Sequence, residues 1–317
     1  MGGNARPGAG AVPPIRASAM TGMRSIVPRA RAALLVAALA LVGSAAARGD
    51  DLTAPHHAGL RTGTLVFPAP GVVIVALGAE YLPEVTNDLA GVRGEILRLP
   101  TVSLKLGLAD QAMFQVTWPA YNRLRVHAQR DPPPLGRRLG SVSTDWGDVT
   151  VATLIRLRSE RGGWPGCGVR FAAELPTSNE TLGIGDNSTD VFASVLLARA
   201  LPARLSLSTD LGVGILTERT RAFAQNDVLT YGVLADWRAR DRLGVVGEVA
   251  GQWSTRGALP ETGSRSELRL GLELHRHTLH WSVLAVHALT RRDSRGLGVA
   301  LGASTALTVL KPTGDAH

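Results

Sequence analysis

The sequence has 317 residues, 45% of them hydrophobic but only 4% aromatic, a single Cys, and 34 Lys and Arg against 26 Asp and Glu. The length admits one large domain or two ordinary ones, and the lone Cys excludes a disulfide framework and a Cys-based zinc site. No run of eighteen apolar residues interrupts a mean hydropathy of +0.10, which excludes a multi-span helical membrane protein, while the formal charge of +8 raises nucleic acid or acidic lipid as partners.

The first 47 residues account for most of that charge. Arg24, Arg29 and Arg31 precede an apolar run from Ala32 to Gly43, and Ala45, Ala46 and Ala47 follow it. Basic residues, a short apolar stretch and small residues make up a secretory signal, cleaved after Ala47. No Cys follows, so a lipoprotein anchor is excluded. Residues 1–19 read as a start-site artefact, with Met20 or Met23 as the start. Removing the five arginines of residues 1–47 leaves 29 basic and 26 acidic residues, a net of +3. The nucleic-acid reading loses its support. Residues 48–71 follow as a periplasmic segment or a plug; Asp51 to Gly71, with His56 and His57, is rich enough in small residues to fold inward.

From residue 72 onward the pattern alternates with period two. Twelve strands are expected, at 72–81, 97–108, 111–120, 145–158, 166–175, 189–199, 203–216, 228–239, 242–253, 265–275, 279–290 and 296–308. Val102, Leu104, Leu106 and Leu108 alternate with Ser103, Lys105 and Gly107; Leu268, Leu270, Leu272 and Leu274 alternate with Glu267, Arg269, Gly271 and Glu273. The first, sixth and eleventh strands are apolar on both faces. Most of the strands run 10 to 14 residues. Soluble sheets favour about 5–6, and a tilted membrane-spanning strand needs about 9–11.

The connections between these strands run 15, 2, 24, 7, 13, 3, 11, 2, 11, 3 and 5 residues. Long and short alternate, as in outer-membrane barrels with short periplasmic turns and long extracellular loops. An even strand count puts both termini on the periplasmic side. Tyr81, Trp118, Tyr121, Trp146 and Trp253 fall near the extracellular strand ends, and Trp164, Trp237 and Trp281 near the periplasmic ends, as an interfacial girdle requires. The expected fold is an all-β, transmembrane, antiparallel up-and-down barrel of about 12 strands over 72–310, with a tail at 311–317. A soluble periplasmic β-protein is the rival architecture.

The stretch from Trp146 to Leu216 carries a further pattern. Gly147 and Asp148 open a strand, a later strand ends in Leu175, Pro176 and Thr177, a glycine-rich loop runs through Gly183 and Gly185, and Thr189 and Asp190 precede the next strand. This resembles the outer-membrane transporters named for the meta-pathway of phenol degradation, and residues 97–118 resemble that family's second hairpin. The resemblance implies a barrel in the outer membrane and uptake of small, often aromatic or apolar, compounds. Barrels of this kind usually close on a terminal aromatic read by the assembly machinery; here no aromatic follows Trp281.

With apolar faces toward lipid, the alternate residues line the interior: Lys105, Gln115, Arg156, Arg170, Glu174, Asp210, Asp236, Arg238, Glu248, Glu267, Arg269 and Glu273. They are candidates for a selectivity lining or for a plug of mutually satisfied ion pairs. A passive channel for small molecules is the leading reading, and a structural or surface-interaction barrel with a plugged lumen the first alternative. The second is a lipid hydrolase: His280 and Ser282 share a strand face that would meet lipid, although no Asn follows to orient the imidazole. His56-His57 and His275-Arg276-His277 have no Cys or carboxylate at ligand spacing, so no metal is assigned. Cys167 points toward lipid. Gly183 and Gly185 lack the context of a nucleotide site, so no cofactor is expected, and neither is catalysis. The expected partners are outer-membrane lipid and lipopolysaccharide, a small solute and the assembly machinery.

Overall fold

The computed structural model of the chain describes residues 58–218, 224–254, 262–276, 278–290 and 296–309. The signal segment 1–47, His56, His57, His277 and the tail 311–317 lie outside them. Fourteen β segments follow in chain order: β1 (Val72–Asn87), β2 (Val92–Ala109), β3 (Ala112–Pro119), β4 (Asn122–Gln129), β5 (Val142–Asp145), β6 (Val149–Arg158), β7 (Gly166–Leu175), β8 (Asp190–Leu201), β9 (Leu205–Glu218), β10 (Ala224–Arg240), β11 (Leu243–Ser254), β12 (Arg265–Arg276), β13 (Leu279–Ala288) and β14 (Leu297–Thr308). Each pairs antiparallel with its neighbours, and β1 bonds both β2 and β14, which closes the sheet on itself.

Twelve wall strands result, because two of them are broken. The long β2 pairs with β3 over Thr101–Ala109 and with β4 over Val92–Arg98. β3 and β4 are thus one strand interrupted at residues 120–121. β5 and β6 are likewise one strand, pairing with β4 and β3 in turn. The up-and-down barrel of twelve strands is the fold expected from the alternation.

Two expected loops are instead strand. Residues 82–96 carry the end of β1 and the start of β2, leaving only 88–91 as a turn, and residues 121–144 carry β4 and most of β5. The physical reason is a local core. Val92, Ile96 and Leu124 point inward and bury themselves with Ala90, against Leu82, Val85, Leu135, Leu139 and Ile184. Arg93, Arg123 and Arg125 alternate with them and are exposed. Alternation continues past the rim, but with a polar outer face, and the prolines at 100 and 119 break its phase.

The outer wall is apolar elsewhere. Leu104, Leu108, Phe171, Val195, Leu211, Val213, Leu270, Leu272, Val283 and Leu301 are exposed, and so is Leu274. A soluble monomer does not leave such a continuous apolar surface uncovered; it is the outward face of a membrane-spanning barrel. Tyr81, Trp118, Trp146, Trp164, Trp237, Trp253 and Trp281 are exposed on that surface. Tyr121 departs from the expected girdle: it sits in the break between β3 and β4 with its hydroxyl enclosed. Cys167 is half-buried on the outward register of β7.

Leu272→Arg places a charge on the outer wall and is expected to cost about 2–4 kcal/mol in lipid. Urea unfolding in vesicles measures this; the same substitution at the inward Thr150 is expected to cost less.

Candidate functional site

The inner wall is polar and crowded. Lys105, Gln115, Arg170, Glu174, Asp210, Glu267 and Arg269 line a cavity of about 740 Å³. Asp236, Glu248 and Glu273 are buried on the same inward register, and Arg238 is half-buried. Arg156 also turns inward, bonding the Asp110 carbonyl and standing 5.3 Å from the Phe67 ring centroid.

Residues 58–71 run inside the barrel as a belt. From the base of β1 and β2, the chain passes the inner faces of the strands in order round the wall. Leu65 and Phe67 pack on Met113, Leu154, Ala172 and Leu196. Thr62 lies so close to Gly232 that a Cβ there would meet its Oγ1 at 2.6 Å. Leu60 packs on Leu234, Leu284 and Val286, and Ala69 on Val72, Ile74 and Ala306.

Polar anchors hold the belt's backbone. Glu248 is only 1% exposed, and its carboxylate accepts the N–H groups of Arg61, at 2.9 Å, and Thr62, at 2.6 Å. Asp210 accepts the N–H of Gly63 at 3.2 Å. Arg269 donates to the Gly59 carbonyl at 2.5 Å, and Ser282 to the Ala58 carbonyl at 2.9 Å. A belt enclosed this way needs such partners, since an unpaired buried amide or carboxylate is costly.

The anchors belong to an ion-pair network. Arg269 bonds Glu267 at 2.6 Å and Glu80 at 2.7 Å, and Glu248 lies 4.0 Å away. Glu80 also holds Arg98 at 2.5 Å, and Arg61 of the belt reaches Glu267 at 2.7 Å. Three guanidinium groups thus face three carboxylates. Alternation identified Glu248, Glu267 and Arg269. It missed Arg98, whose phase on β2 is disturbed by the register shift between Gly78 and Glu80. It also missed Glu80, which keeps the inward phase of Val72, Ile74 and Ala76 on a strand that reads as apolar on both faces, and Arg61, which belongs to no strand.

The proposed hydrolase pair is oriented differently from the expectation. His280 and Ser282 point into the barrel, where both are buried. Ser282 is occupied by the Ala58 carbonyl, and His280 Nδ1 lies 2.7 Å from His275 Nδ1. A lipid-facing dyad is therefore ruled out; the inward phase of β13 is set by Leu284 and Val286 packing on the belt.

The motif residues converge on one carboxylate at the loop end. Asp148 accepts the N–H groups of Thr177 and Ser178 and the Ser178 hydroxyl, at 2.9, 2.8 and 2.9 Å. The N–H groups of Asp186 and Asn187 add two bonds at 3.2 Å. The Gly147 carbonyl accepts from Thr177 Oγ1 at 3.0 Å, and Asp190 accepts the Thr217 N–H at 2.9 Å. Thr189 offers its carbonyl to the Thr217 hydroxyl at 2.6 Å. Gly185 must lack a Cβ, which would collide with Ser178. Leu175 and Pro176 simply close β7 and lead into this loop. The loop 176–189 is thereby folded over the cavity, with Gly183, Ile184, Asp186 and Ser188 in its lining.

The sequence matches no family model and no curated protein. Among solved structures it is similar to an outer-membrane channel from Pseudomonas putida F1, with a TM-score of 0.55, 9% identity, and 80% of this chain covering 100% of that one. It is also similar to the NanC porin, with a TM-score of 0.46, 7% identity, and 75% of this chain covering 100% of that one. At these identities the likeness is one of fold.

Asp148→Ala removes the acceptor shared by five donors. The loop 176–189 is expected to lose about 3 kcal/mol of local stability. Amide exchange over 177–187 measures this, with a rise of roughly a hundredfold expected.

Proposed function

We propose that the chain is a passive channel of the bacterial outer membrane, exported through a cleaved signal peptide, that admits small molecules through a lumen narrowed by its own N-terminal belt. The observation that carries this reading is a half-open, charge-lined cavity of about 740 Å³ within a closed barrel that is apolar outside. The polar lining suits hydrated solutes, and the belt sets the bore. Lipid and lipopolysaccharide surround the wall in this reading, with the short-turn end facing the periplasm, and barrel-assembly machinery inserts it. Lys105, Gln115, Arg170, Glu174, Asp210, Glu267 and Arg269 are the proposed selectivity residues, because their side chains meet the solute path. The resemblance through Gly147, Asp148 and Leu175-Pro176-Thr177 supports uptake of small aromatic or apolar compounds.

One observation favours a second reading, a structural barrel with a plugged lumen. Four buried side chains, Glu248, Asp210, Arg269 and Ser282, anchor the belt by hydrogen bonds, and Leu65 and Phe67 of the belt pack into an apolar cluster on the wall.

Planar-bilayer recording separates the two. The channel reading predicts small conductance steps for the refolded protein. Glu248→Ala strips the amides of Arg61 and Thr62 of their acceptor, a loss of about 1.5 kcal/mol or more, and is expected to raise open probability roughly tenfold. Silence from both proteins, with no liposome swelling for any small solute, selects the plugged barrel.

A further inference from the structure

Six cations of the described residues line the cavity: Arg61, Arg98, Lys105, Arg170, Arg265 and Arg269. Arg61, Arg98 and Arg269 are held by Glu267 and Glu80, Arg170 faces Asp210 at 3.9 Å, and Arg265 is engaged as well. Of these six, Lys105 alone makes no hydrogen bond and no ion pair to a described residue, although it is half-buried on the inner wall. A bare ammonium in a confined, partly apolar space is costly unless something polar meets it.

The surroundings of Lys105 are shaped for a small molecule. In the barrel register it stands between Ile74 of β1 and Gln115 of β3. One step along, Ser103 and Thr117 face each other with their hydroxyl oxygens 3.3 Å apart, and Gln115 Nε2 donates to Thr117 Oγ1 at 3.2 Å. Apolar lining comes from Ile74, Ala76, Ala152 and Phe192. The cavity volume falls within the ~300–1,000 Å³ of small-molecule sites. Glu273 is the one carboxylate whose charge reaches the ammonium, and it does so from beyond ion-pair distance, with His275 beside it at 3.8 Å. Glu80 and Glu267 are matched by arginines, and Asp210 by the Gly63 amide and Arg170. Glu174 and Asp190 sit at the opposite, loop end of their strands.

We propose that Lys105 and the polar row beside it form a binding site for a small organic monoanion, a carboxylate on an apolar body. The Lys105 ammonium meets the carboxylate, Gln115 and the Ser103 and Thr117 hydroxyls supply hydrogen bonds, and the apolar lining receives the hydrocarbon part. This rests on the channel reading for its biological sense and names the solute class of that lumen. Binding itself does not require conduction.

Isothermal titration of the full-length barrel in detergent tests it with benzoate and its neutral analogue benzamide. Benzoate is expected to bind, benzamide at least tenfold more weakly, and Lys105→Met to weaken benzoate at least tenfold while leaving benzamide unchanged. Lys105→Arg is expected to retain benzoate within a few-fold. Unboiled gel migration verifies that each variant is folded. Absence of benzoate binding, equal binding of benzamide, or full benzoate affinity in folded Lys105→Met overturns the proposal. A barrel that binds benzoate but never conducts upholds the site and removes the channel reading instead.

Discussion

The Glu248 carboxylate sets the terms for the interior. It is buried, it accepts two successive backbone N–H groups of the belt, and Arg269 stands beside it. Threading a peptide through a closed barrel exposes that peptide's amides to a space with little water. The belt persists because the wall presents acceptors and donors where the backbone needs them: Asp210 and Glu248 on one side, Arg269 and Ser282 on the other. Arg269 then requires Glu80 and Glu267, and Glu80 requires Arg98. The lumen's charge arrangement follows from holding a segment that forms no strand of its own.

The belt also explains where the alternation fails. β1, β8 and β13 read as apolar on both faces, and each meets a different part of the belt. Ala69 covers Val72 and Ile74 of β1, Leu65 covers Leu196 of β8, and Leu60 covers Leu284 of β13. The inner face of a barrel strand is polar only where it meets water. The barrel itself was legible, since period-two alternation and strand length are properties of single segments. The belt was legible only as small residues before the first strand, because its contacts join residue 61 to residue 267 and residue 58 to residue 282.

The candidate site divides along the same line. Inward positions such as Lys105, Glu248 and Arg269 follow from counting by two. Asp148 stood out through a local motif, but its role in holding 176–189 depends on folding that loop back. The rim strands β4 and β5 were hidden because their inner face packs on loop residues such as Ile184 and Leu139, beyond the membrane length that the pattern assumes. His280 and Ser282 show the limit of spacing alone: a shared face is visible in sequence, and which side it faces is not.

The central claim is that residues 58–71 lie within the lumen and set its bore. Thr62→Cys combined with Gly232→Cys tests it directly, in a chain carrying Cys167→Ser. A Cβ at 232 would stand 3.2 Å from the Thr62 Cβ, close to the ~3.5–4.5 Å spacing of a disulfide. Mild oxidation of the refolded protein should cross-link the pair almost completely and hold conductance at its low level, with reductant restoring the fluctuations. Failure to cross-link in folded protein, or conductance indifferent to a formed cross-link, would contradict the account.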